Sequence, residues 1–438
     1  MDPLSLGLVI GIITILVLFS GISVAIGLLT VSAIFLFIFD GVRSLELIPE
    51  ILFGKLDSFA LLSIPMFIIM GASISSTRAG ADLYEALERW LTRVPGGLVI
   101  SNLGACALFA AMSGSSPATC AAIGKMGIPE MRKRGYPDKI ATGSIAAGGT
   151  LGILIPPSIT MIVYGIATET SIGRLFLAGV VPGFLLMGLF MAWSIYATWA
   201  AGGRSAMPQT SYSWRERLEI LPRVLPFIAI ILGVLYTMYG GVATPSETAA
   251  VGALLCLIVA MIIYRLTSFS ALWNVLRDST KESVMILFII AAAGVFSYML
   301  SSLYITQSIA EWISDLDVNR WTLMIAINVF LIIAGFFLPP VAVILMTAPI
   351  LLPVITGAGF DPIWFAVVLT INMEIGLISP PVGLNLYVIN GIAPDISLRT
   401  ILVGSLPFVA CMLIAIALLC LFPSLATWLP DAVMGQAL

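Results

Sequence analysis

The sequence of 438 residues contains no histidine and few charged side chains. Without histidine, the chain has no imidazole for a metal site, a proton relay or the commonest general base of enzymes. Only 10% of its residues are charged, against about 25% in a typical soluble domain, and 60% are hydrophobic. The five cysteines lie in apolar segments without a CxxC pair, so we interpret them as small buried hydrophobic residues. These shortages exclude an ordinary soluble domain.

Long apolar runs take the place of the missing charge. The runs 5–20, 224–238, 249–264, 283–300 and 400–422 meet or approach the roughly 20 residues that a membrane-spanning helix needs. The alternating segments of about 10 residues that mark a transmembrane β-barrel are absent. We therefore predict an all-α polytopic membrane protein. The first 20 residues lack a basic segment, so the first run is predicted to be a retained span and not a cleaved signal.

Short polar or Gly/Pro-rich segments divide the chain into ten predicted crossings. The run 4–39 is predicted to turn near Ser20-Gly21, and eight further spans follow near 59–77, 138–167, 175–199, 222–240, 245–265, 283–303, 362–392 and 400–424. The segments 97–131 and 321–355 each have two apolar halves around a break and are predicted to be re-entrant hairpins. The segments 42–57 and 268–281 are either amphipathic helices along the membrane interface or simple connectors.

Lysine and arginine are distributed unequally between the two sides of this predicted topology. With the N-terminus outside, fifteen fall in inner loops and four in outer loops, while Lys125 lies in a hairpin. The inner residues are Arg78, Arg89, Arg93, Arg132, Lys133, Arg134, Lys139, Arg204, Arg215, Arg217, Arg223, Arg265, Arg277, Lys281 and Arg399. Turning either hairpin into a full crossing would remove the bias, so charge favours two hairpins and both termini on the outer side.

The second half of the sequence repeats the first at a shift of 376 − 152 = 224 residues. The phrase GILIPPS begins at Gly152 and GLISPPV begins at Gly376, and at the same shift Pro129 falls on Pro353. The repeats are predicted over 1–200 and 222–438, with a cytoplasmic linker over 201–221. Five crossings in each half is an odd number, so we predict that the second half is inverted. Inverted repeats with broken helices are typical of secondary transporters.

Both repeats contain a double proline, Pro156-Pro157 and Pro380-Pro381, within a predicted broken span, 138–167 or 362–392. Proline removes a backbone donor and clashes with the carbonyl four residues earlier, so two in succession free several carbonyl groups. Unpaired backbone is tolerated in a membrane where it lines a cavity or binds an ion. These carbonyl groups suit Na⁺, a hard cation; the alternative is a simple proline kink in a packed helix.

The two predicted hairpin tips differ in chemistry. The first, SGSSPAT over 113–119, has four hydroxyl groups, and the helix that follows offers its positive end to a carboxylate. It is either a binding site or a polar turn at the membrane edge. The second, GFFLPP over 335–340, would contribute mostly backbone carbonyl groups, so the two sites are expected to be unequal. The substrate-binding candidates are Ser115, Thr119, Pro156, Pro157, Pro340, Glu374 and Asn385.

Ionisable and amide side chains at membrane depth are functional candidates by default. Glu374 and Lys125 qualify, although Glu374 could equally be the structural partner of a neighbouring helix. Glu247, in ATPSET, is better explained as a helix cap. The asparagines of the second broken span either hold helices together or line the transport path. They are Asn372, Asn385 and Asn390.

Four phrases resemble the large membrane subunit of tripartite ATP-independent periplasmic transporters: SGSSPATCAAIGKMGIPEM, GGTLGILIPPSI, GGVATPSETAAVGA and NMEIGLISPPVGLNLYVINGIA. The similarity runs over essentially the whole chain. It implies an elevator-type transporter of the bacterial inner membrane, driven by a Na⁺ gradient and without an organic cofactor. The expected substrates are organic acids, including C4-dicarboxylates, sialic acid and other sugar acids.

The resemblance also implies two protein partners. One is a small four-helix membrane subunit, expected as a separate polypeptide because this chain begins directly with its first span. The other is a soluble periplasmic binding protein, expected to dock against the outer loops 40–57, 168–174, 241–247, 304–320 and 356–362. The last two loops carry acidic residues that suit a basic partner, namely Glu311, Asp315, Asp317 and Asp361. No nucleic acid partner is expected.

The resemblance implies two Na⁺ sites, with Na⁺ as the only metal. The first would use Ser113, Ser116, Gly152 and Ile155, and the second would use Gly335, Gly376, Ser379 and Val382. The shift of 224 residues maps Gly152 to Gly376, Ile155 to Ser379 and Ser158 to Val382. The chain departs from the common family pattern at Ser379, where threonine is frequent, and at Pro117, where alanine is common and where proline may stiffen the tip.

Three other functions remain as alternatives. A channel could form a filter from the two hairpins, but this chain supplies two unlike tips where channels usually assemble symmetric filters from several chains. A membrane enzyme could use the serine-rich tip, but no histidine is present to activate a nucleophile, and Lys125 is the one lysine near it. The nearer alternative is a Na⁺/anion symporter that works without a binding protein.

Overall fold

The computed structural model describes residues 2–91, 96–200, 212–315 and 318–435, and every regular element in these ranges is a helix. The helices are α1 (Pro3–Phe19), α2 (Val24–Asp40), α3 (Val42–Leu45), α4 (Leu47–Leu56), α5 (Ser63–Ser75), α6 (Ala79–Leu91), α7 (Gly97–Ser113), α8 (Ser116–Lys133), α9 (Asp138–Leu154), α10 (Ile159–Thr168), α11 (Ile172–Ala200), α12 (Trp214–Glu219), α13 (Leu221–Tyr239), α14 (Pro245–Ile262), α15 (Phe269–Ser302), α16 (Ile305–Asp315), α17 (Arg320–Phe337), α18 (Pro340–Gly357), α19 (Pro362–Leu377), α20 (Leu384–Ile392), α21 (Leu398–Leu421) and α22 (Ser424–Met434). Residues 201–211 of the predicted linker, with Arg93, Arg204 and Asp317, lie outside the described residues.

The helices confirm an all-α polytopic membrane protein. Within the described ranges, eight helical segments are long and apolar enough to cross a membrane, and nine if the bent pair 42–56 and 59–75 counts as one span. Helices α1 and α2 each have 17 residues, about 26 Å of helix, which is slightly less than a bilayer core. They are separated at residues 20–23, where the sequence predicts the turn.

The two predicted interfacial segments differ in the structure. Helices α3 and α4 form a separate arm that is bent by 62° from the segment that follows. The second segment, 268–281, is instead the beginning of α15, a continuous helix of 34 residues and about 51 Å. The reason lies in the sequence, because 269–293 contains neither glycine nor proline, whereas the first arm contains Pro49 and Gly54 and is followed by Pro65. The two arms are therefore not equivalent.

Helix bounds in the two halves correspond at the shift found in the sequence. Adding 224 to the bounds of α7, α8 and α9 gives 321–337, 340–357 and 362–378, and the observed helices α17, α18 and α19 span 320–337, 340–357 and 362–377. Equivalent pairs also pack alike, because α7 lies on α9 and α17 lies on α19. The second parts of the broken helices cross over, with α10 on α18 and α20 on α8. The two halves thus interlock; their inverted orientation remains a prediction.

Two local features complete the fold. Thr244 and Glu247 form a reciprocal capping box at the start of α14, in which the Thr244 hydroxyl accepts from the Glu247 amide at 3.3 Å, so the predicted cap at Glu247 is confirmed. Helix α22, which the sequence pattern did not predict, packs against α11, where Arg174 binds Asp431 at 3.1 Å. The second contact joins the last described helix to the end of the first repeat.

Candidate functional site

The tip of the first hairpin is a two-residue turn that its own hydroxyl groups hold in place. Helix α7 ends at Ser113, Gly114 has a φ of +58°, and α8 begins at Ser116. A left-handed residue is needed to reverse the chain in so short a turn, which explains the glycine. The Ser113 hydroxyl lies 3.0 Å from the Thr119 hydroxyl, which donates to the Ser115 carbonyl at 2.8 Å.

This tip lies against the break between α9 and α10. A methyl group at Gly152 would lie 2.9 Å from the Ser115 carbonyl oxygen, and one at Gly114 would lie 2.9 Å from the Pro157 carbonyl oxygen. The structure therefore brings the tip residues beside Gly152, as the first predicted Na⁺ site requires. Ile155 extends its side chain towards Gly183 of α11, so its carbonyl group is the part left to act as a ligand. Pro156 and Pro157 are buried, and the peptide bond between them is cis.

The second junction has the same arrangement with other residues. A methyl group at Gly376 would overlap the carbonyl group of Gly335 in α17, so these two predicted ligands are in direct backbone contact. The Val382 amide donates to the Phe336 carbonyl at 3.3 Å, which ties the break after α19 to the second hairpin. Ser379 is buried, whereas the Val382 side chain is exposed, so Val382 would contribute only backbone atoms. The Pro380-Pro381 peptide bond is also cis.

A buried polar network joins the first hairpin to the second broken helix. Asn385 of α20 donates to the Ser116 hydroxyl at 2.8 Å and to the Ala146 carbonyl at 3.3 Å, and Ser116 donates to Glu374 of α19 at 3.4 Å. Glu374, Asn385 and Ser116 are all fully buried. The Glu374 Oε1 and Asn385 Oδ1 atoms have no hydrogen-bond partner in the described structure. Glu374 therefore contacts a neighbouring repeat at the residue that is also a predicted Na⁺ ligand.

The other two asparagines of the second broken span act between segments. Asn372 donates to Asn328 of α17 at 2.6 Å, and Asn390 donates to the Ile396 carbonyl at 3.0 Å. Both contacts fit the expectation that such amides hold helices together. Lys125, by contrast, lies on the exposed side of α8. Across the described ranges, no three His, Cys, Asp or Glu side chains are grouped so that they could hold a metal ion, so hydroxyl and carbonyl oxygens dominate both junctions.

Two cavities flank the first hairpin tip. The larger, about 480 Å³, separates the two hairpin tips and is lined by Ser115, Pro117, Pro339, Pro340 and one face of α15. The smaller, about 200 Å³, lies towards α5 and is lined by Ser75, Ser113, Ser115 and Glu282. Of the substrate-binding candidates, Ser115 lines both cavities and Pro340 lines the larger. Five candidates line neither cavity, namely Thr119, Pro156, Pro157, Glu374 and Asn385.

Glu282 of α15 is a site residue that sequence reasoning missed, although it lines both cavities. The signal was its place at the edge of the apolar run 283–303, where the sequence pattern assigned it to an interfacial arm. On the opposite side of α5, a third cavity of about 600 Å³ is lined by Lys55, Glu169, Thr170, Ser246 and Met434. Its walls come from three of the loops predicted to lie outside, 40–57, 168–174 and 241–247.

The fold is that of a membrane transporter with paired hairpins and broken helices. Its coordinates match the crystal structure of the YdaH transporter from Alcanivorax borkumensis with a TM-score of 0.66 and 17% identity, over 97% of this chain and 99% of that chain. A likeness at this identity shows the fold alone.

The sequence identifies the family. Residues 10–425 match the DctM component of the tripartite ATP-independent periplasmic transporters, and the chain belongs to this family. It is 40% identical to the C4-dicarboxylate TRAP transporter large permease protein DctM of Pseudomonas aeruginosa, over 93% of this chain and 94% of that protein. It is 36% identical to the protein of the same description from Vibrio cholerae, over 95% of each. The predicted resemblance is thereby confirmed.

Proposed function

We propose that this chain is the permease of a Na⁺-coupled transporter that carries an organic acid, in the first place a C4-dicarboxylate, into the cell. The observation that carries the proposal is the pair of junctions at which a glycine of a broken helix meets a hairpin, Gly152 at Ser115 and Gly376 at Gly335. Family membership and the two C4-dicarboxylate relatives support the function and the solute class. The protein would act as a transporter and not as an enzyme.

Each junction is proposed to hold one Na⁺ ion. At the first, the ligands are the hydroxyl groups of Ser113 and Ser116 with backbone carbonyl groups of Gly152 and Ile155. At the second, they are the Ser379 hydroxyl with backbone carbonyl groups of Gly335, Gly376 and Val382. An ion at either junction bonds to both a hairpin and a broken helix, so Na⁺ binding would fix the hairpin in place and complete the solute site between the tips.

The cavity between the tips is the proposed solute site. Helix α8 begins at Ser116 and α18 begins at Pro340, and both residues line this cavity. Helix N-termini carry partial positive charge and free N–H groups, which attract carboxylates. Two helix N-termini at one cavity suit a solute with a carboxylate at each end, which is the chemistry of a C4-dicarboxylate. Sialic acid and other sugar acids, with one carboxylate and several hydroxyl groups, are the next candidates.

The proposed mechanism is an elevator movement in the bacterial inner membrane. The hairpins and broken helices would move together, against a scaffold of the remaining spans and the small membrane subunit. One Na⁺ ion moving inwards under 100 mV supplies about 2.3 kcal/mol before its concentration gradient is added. Both termini would be periplasmic. The binding protein would dock over the outer loops around the cavity of about 600 Å³ that contains Lys55 and Glu169.

Uptake into proteoliposomes tests this function. The chain is reconstituted with its small subunit, and uptake of radiolabelled succinate and sialic acid is measured with and without an inward Na⁺ gradient and the binding protein. Uptake that needs both Na⁺ and the binding protein supports the proposal. Uptake without the binding protein points to a simple Na⁺/anion symporter, and downhill flux that is indifferent to Na⁺ points to a channel.

A further inference from the structure

Glu282 occupies an unusual position between two cavities. It lies on α15, on the wall opposite the first hairpin tip, and lines both the cavity of about 480 Å³ and that of about 200 Å³. No other residue lining either cavity carries an ionisable side chain. In the described structure, the Glu282 carboxylate makes neither an ion pair nor a hydrogen bond with another residue. An acidic group has therefore been placed, without a partner, in a narrow space at the hairpin tip.

The surroundings of Glu282 offer oxygen atoms and no cation. The smaller cavity brings the carboxylate together with Ser75, Ser113 and Ser115. Carboxylate and hydroxyl oxygens are suitable ligands for a hard cation, whereas a solute carboxylate would be repelled. A charged group in a cleft with low-dielectric walls also concentrates counter-ions more strongly than the same group on an open surface.

We propose that Glu282 recruits Na⁺ to the first junction. The ion is drawn from water to the Glu282 carboxylate and then passes to Ser113, which lines the same small cavity and belongs to the first proposed Na⁺ site. This inference rests on the proposed Na⁺-coupled function and adds a specific residue to it. Glu282 also disfavours the entry of an anionic solute into the cavities until a cation has arrived, so Na⁺ binds before the solute.

The chain offers a matched control on the same helix. Asp278 lies one turn before Glu282, is exposed, and is paired with Arg277 at 3.0 Å. It lines neither cavity. Replacing Asp278 with asparagine removes the same charge from α15 without changing the cavities, so it separates a local effect at the hairpin tip from a general change in the charge of the helix.

The test is the Na⁺ dependence of succinate uptake by the reconstituted transporter with its small subunit and binding protein. For Glu282→Gln, we expect a roughly tenfold rise in the Na⁺ concentration for half-maximal uptake, at the lower end of the range for focused fields. The maximal rate at saturating Na⁺ should be retained. Glu282→Asp should restore most of the affinity, and Asp278→Asn should behave as the wild type.

Two further measurements make the test specific. Raising ionic strength with choline chloride should reduce the difference between wild type and Glu282→Gln, since the screening length falls from about 10 Å at 0.1 M salt to about 3 Å at 1 M. The midpoint of thermal unfolding of the purified complex, measured against Na⁺ without solute, should show the same loss of affinity. This second measurement does not depend on transport.

The outcomes separate this inference from the proposed function. If wild-type uptake does not depend on Na⁺, the proposed function fails. If wild-type uptake needs Na⁺ but Glu282→Gln and Asp278→Asn have the same Na⁺ dependence, only the role of Glu282 is overturned. A fall in maximal rate with unchanged Na⁺ dependence would also overturn it, because it would place Glu282 in the movement or in contact with the solute.

Discussion

Gly376 of α19 lies directly against the backbone of Gly335 of α17, with no room for a methyl group between them. The contact joins the second broken helix to the first helix of the second hairpin, and both residues are proposed Na⁺ ligands. The equivalent contact in the first half joins Gly152 to the Ser115 carbonyl group. In both halves, therefore, a glycine allows a hairpin and a broken helix to approach closely enough to share an ion.

Gly376→Ala should separate this junction. The added methyl group would force apart two backbones that cannot move independently, so we expect a loss of about 1–3 kcal/mol in unfolding free energy and little Na⁺-dependent uptake. The control is Gly391→Ala in α20, where nothing lies within 4 Å of the added carbon. Thermal unfolding and uptake report the result. Wild-type stability and Na⁺ dependence in Gly376→Ala would show that the contact is not needed.

Ser113→Ala and Ser379→Ala should each weaken one Na⁺ site. Each substitution removes a hydroxyl oxygen, so more Na⁺ should be needed for half-maximal uptake, while the rate at saturating Na⁺ falls less. Ser194→Ala is the control, because the Ser194 hydroxyl is buried but only donates to the Phe190 carbonyl within α11. Folding is checked by size-exclusion chromatography. An unaltered Na⁺ requirement in well-folded variants would remove these two serines from the proposed sites.

Asn385→Ala should destabilise the contact between the two halves. The substitution leaves the Ala146 carbonyl and the Ser116 hydroxyl without their buried donor, which costs about 1–3 kcal/mol for each such group left unpaired. Asn390→Ala removes one half-buried hydrogen bond and should cost less. The measurement is the denaturation midpoint of each purified variant. Equal losses in the two variants would show that the network at Ser116 contributes no special stability.

The ion pair at the base of the first hairpin should make a small, pH-dependent contribution to stability. Arg132 binds Asp138 at 3.0 Å and Asp395 at 2.7 Å, and its hydrogen bond lowers the pKa of the Asp395 carboxyl below its ordinary value. Because the folded-state pKa is lower than the unfolded value of about 3.9, the contribution is present above that pH and is lost as the pH falls below it.

Asp395→Asn should therefore be slightly less stable than the wild type at pH 7 and equal to it near pH 3. The difference should be small, because both partners are partly exposed and solvent screens them. The midpoint of thermal unfolding between pH 3 and pH 7 measures it. A difference between the two proteins that stays constant over this range would mean that Asp395 acts through packing and not through its charge.

The sequence alone determined the helices, their breaks and the repeat. Apolar runs, the glycine and hydroxyl groups of the first tip, and the two double prolines are local signals, and each specifies the conformation of the few residues around it. The helix bounds at the shift of 224 residues follow from the same local signals. The cap at Glu247 was also predictable, since a capping box is contained within four residues.

The tertiary structure decided which of these segments meet. The crossing of α10 onto α18 and of α20 onto α8, and the bond from Asn385 to Ser116 across 269 residues of sequence, depend on packing between distant elements. No local pattern indicates such pairs. The same holds for Glu282, which sequence reasoning assigned to an interfacial arm. Its position in α15 is local, but the cavities that give it a proposed role exist only because two hairpin tips pack opposite that helix.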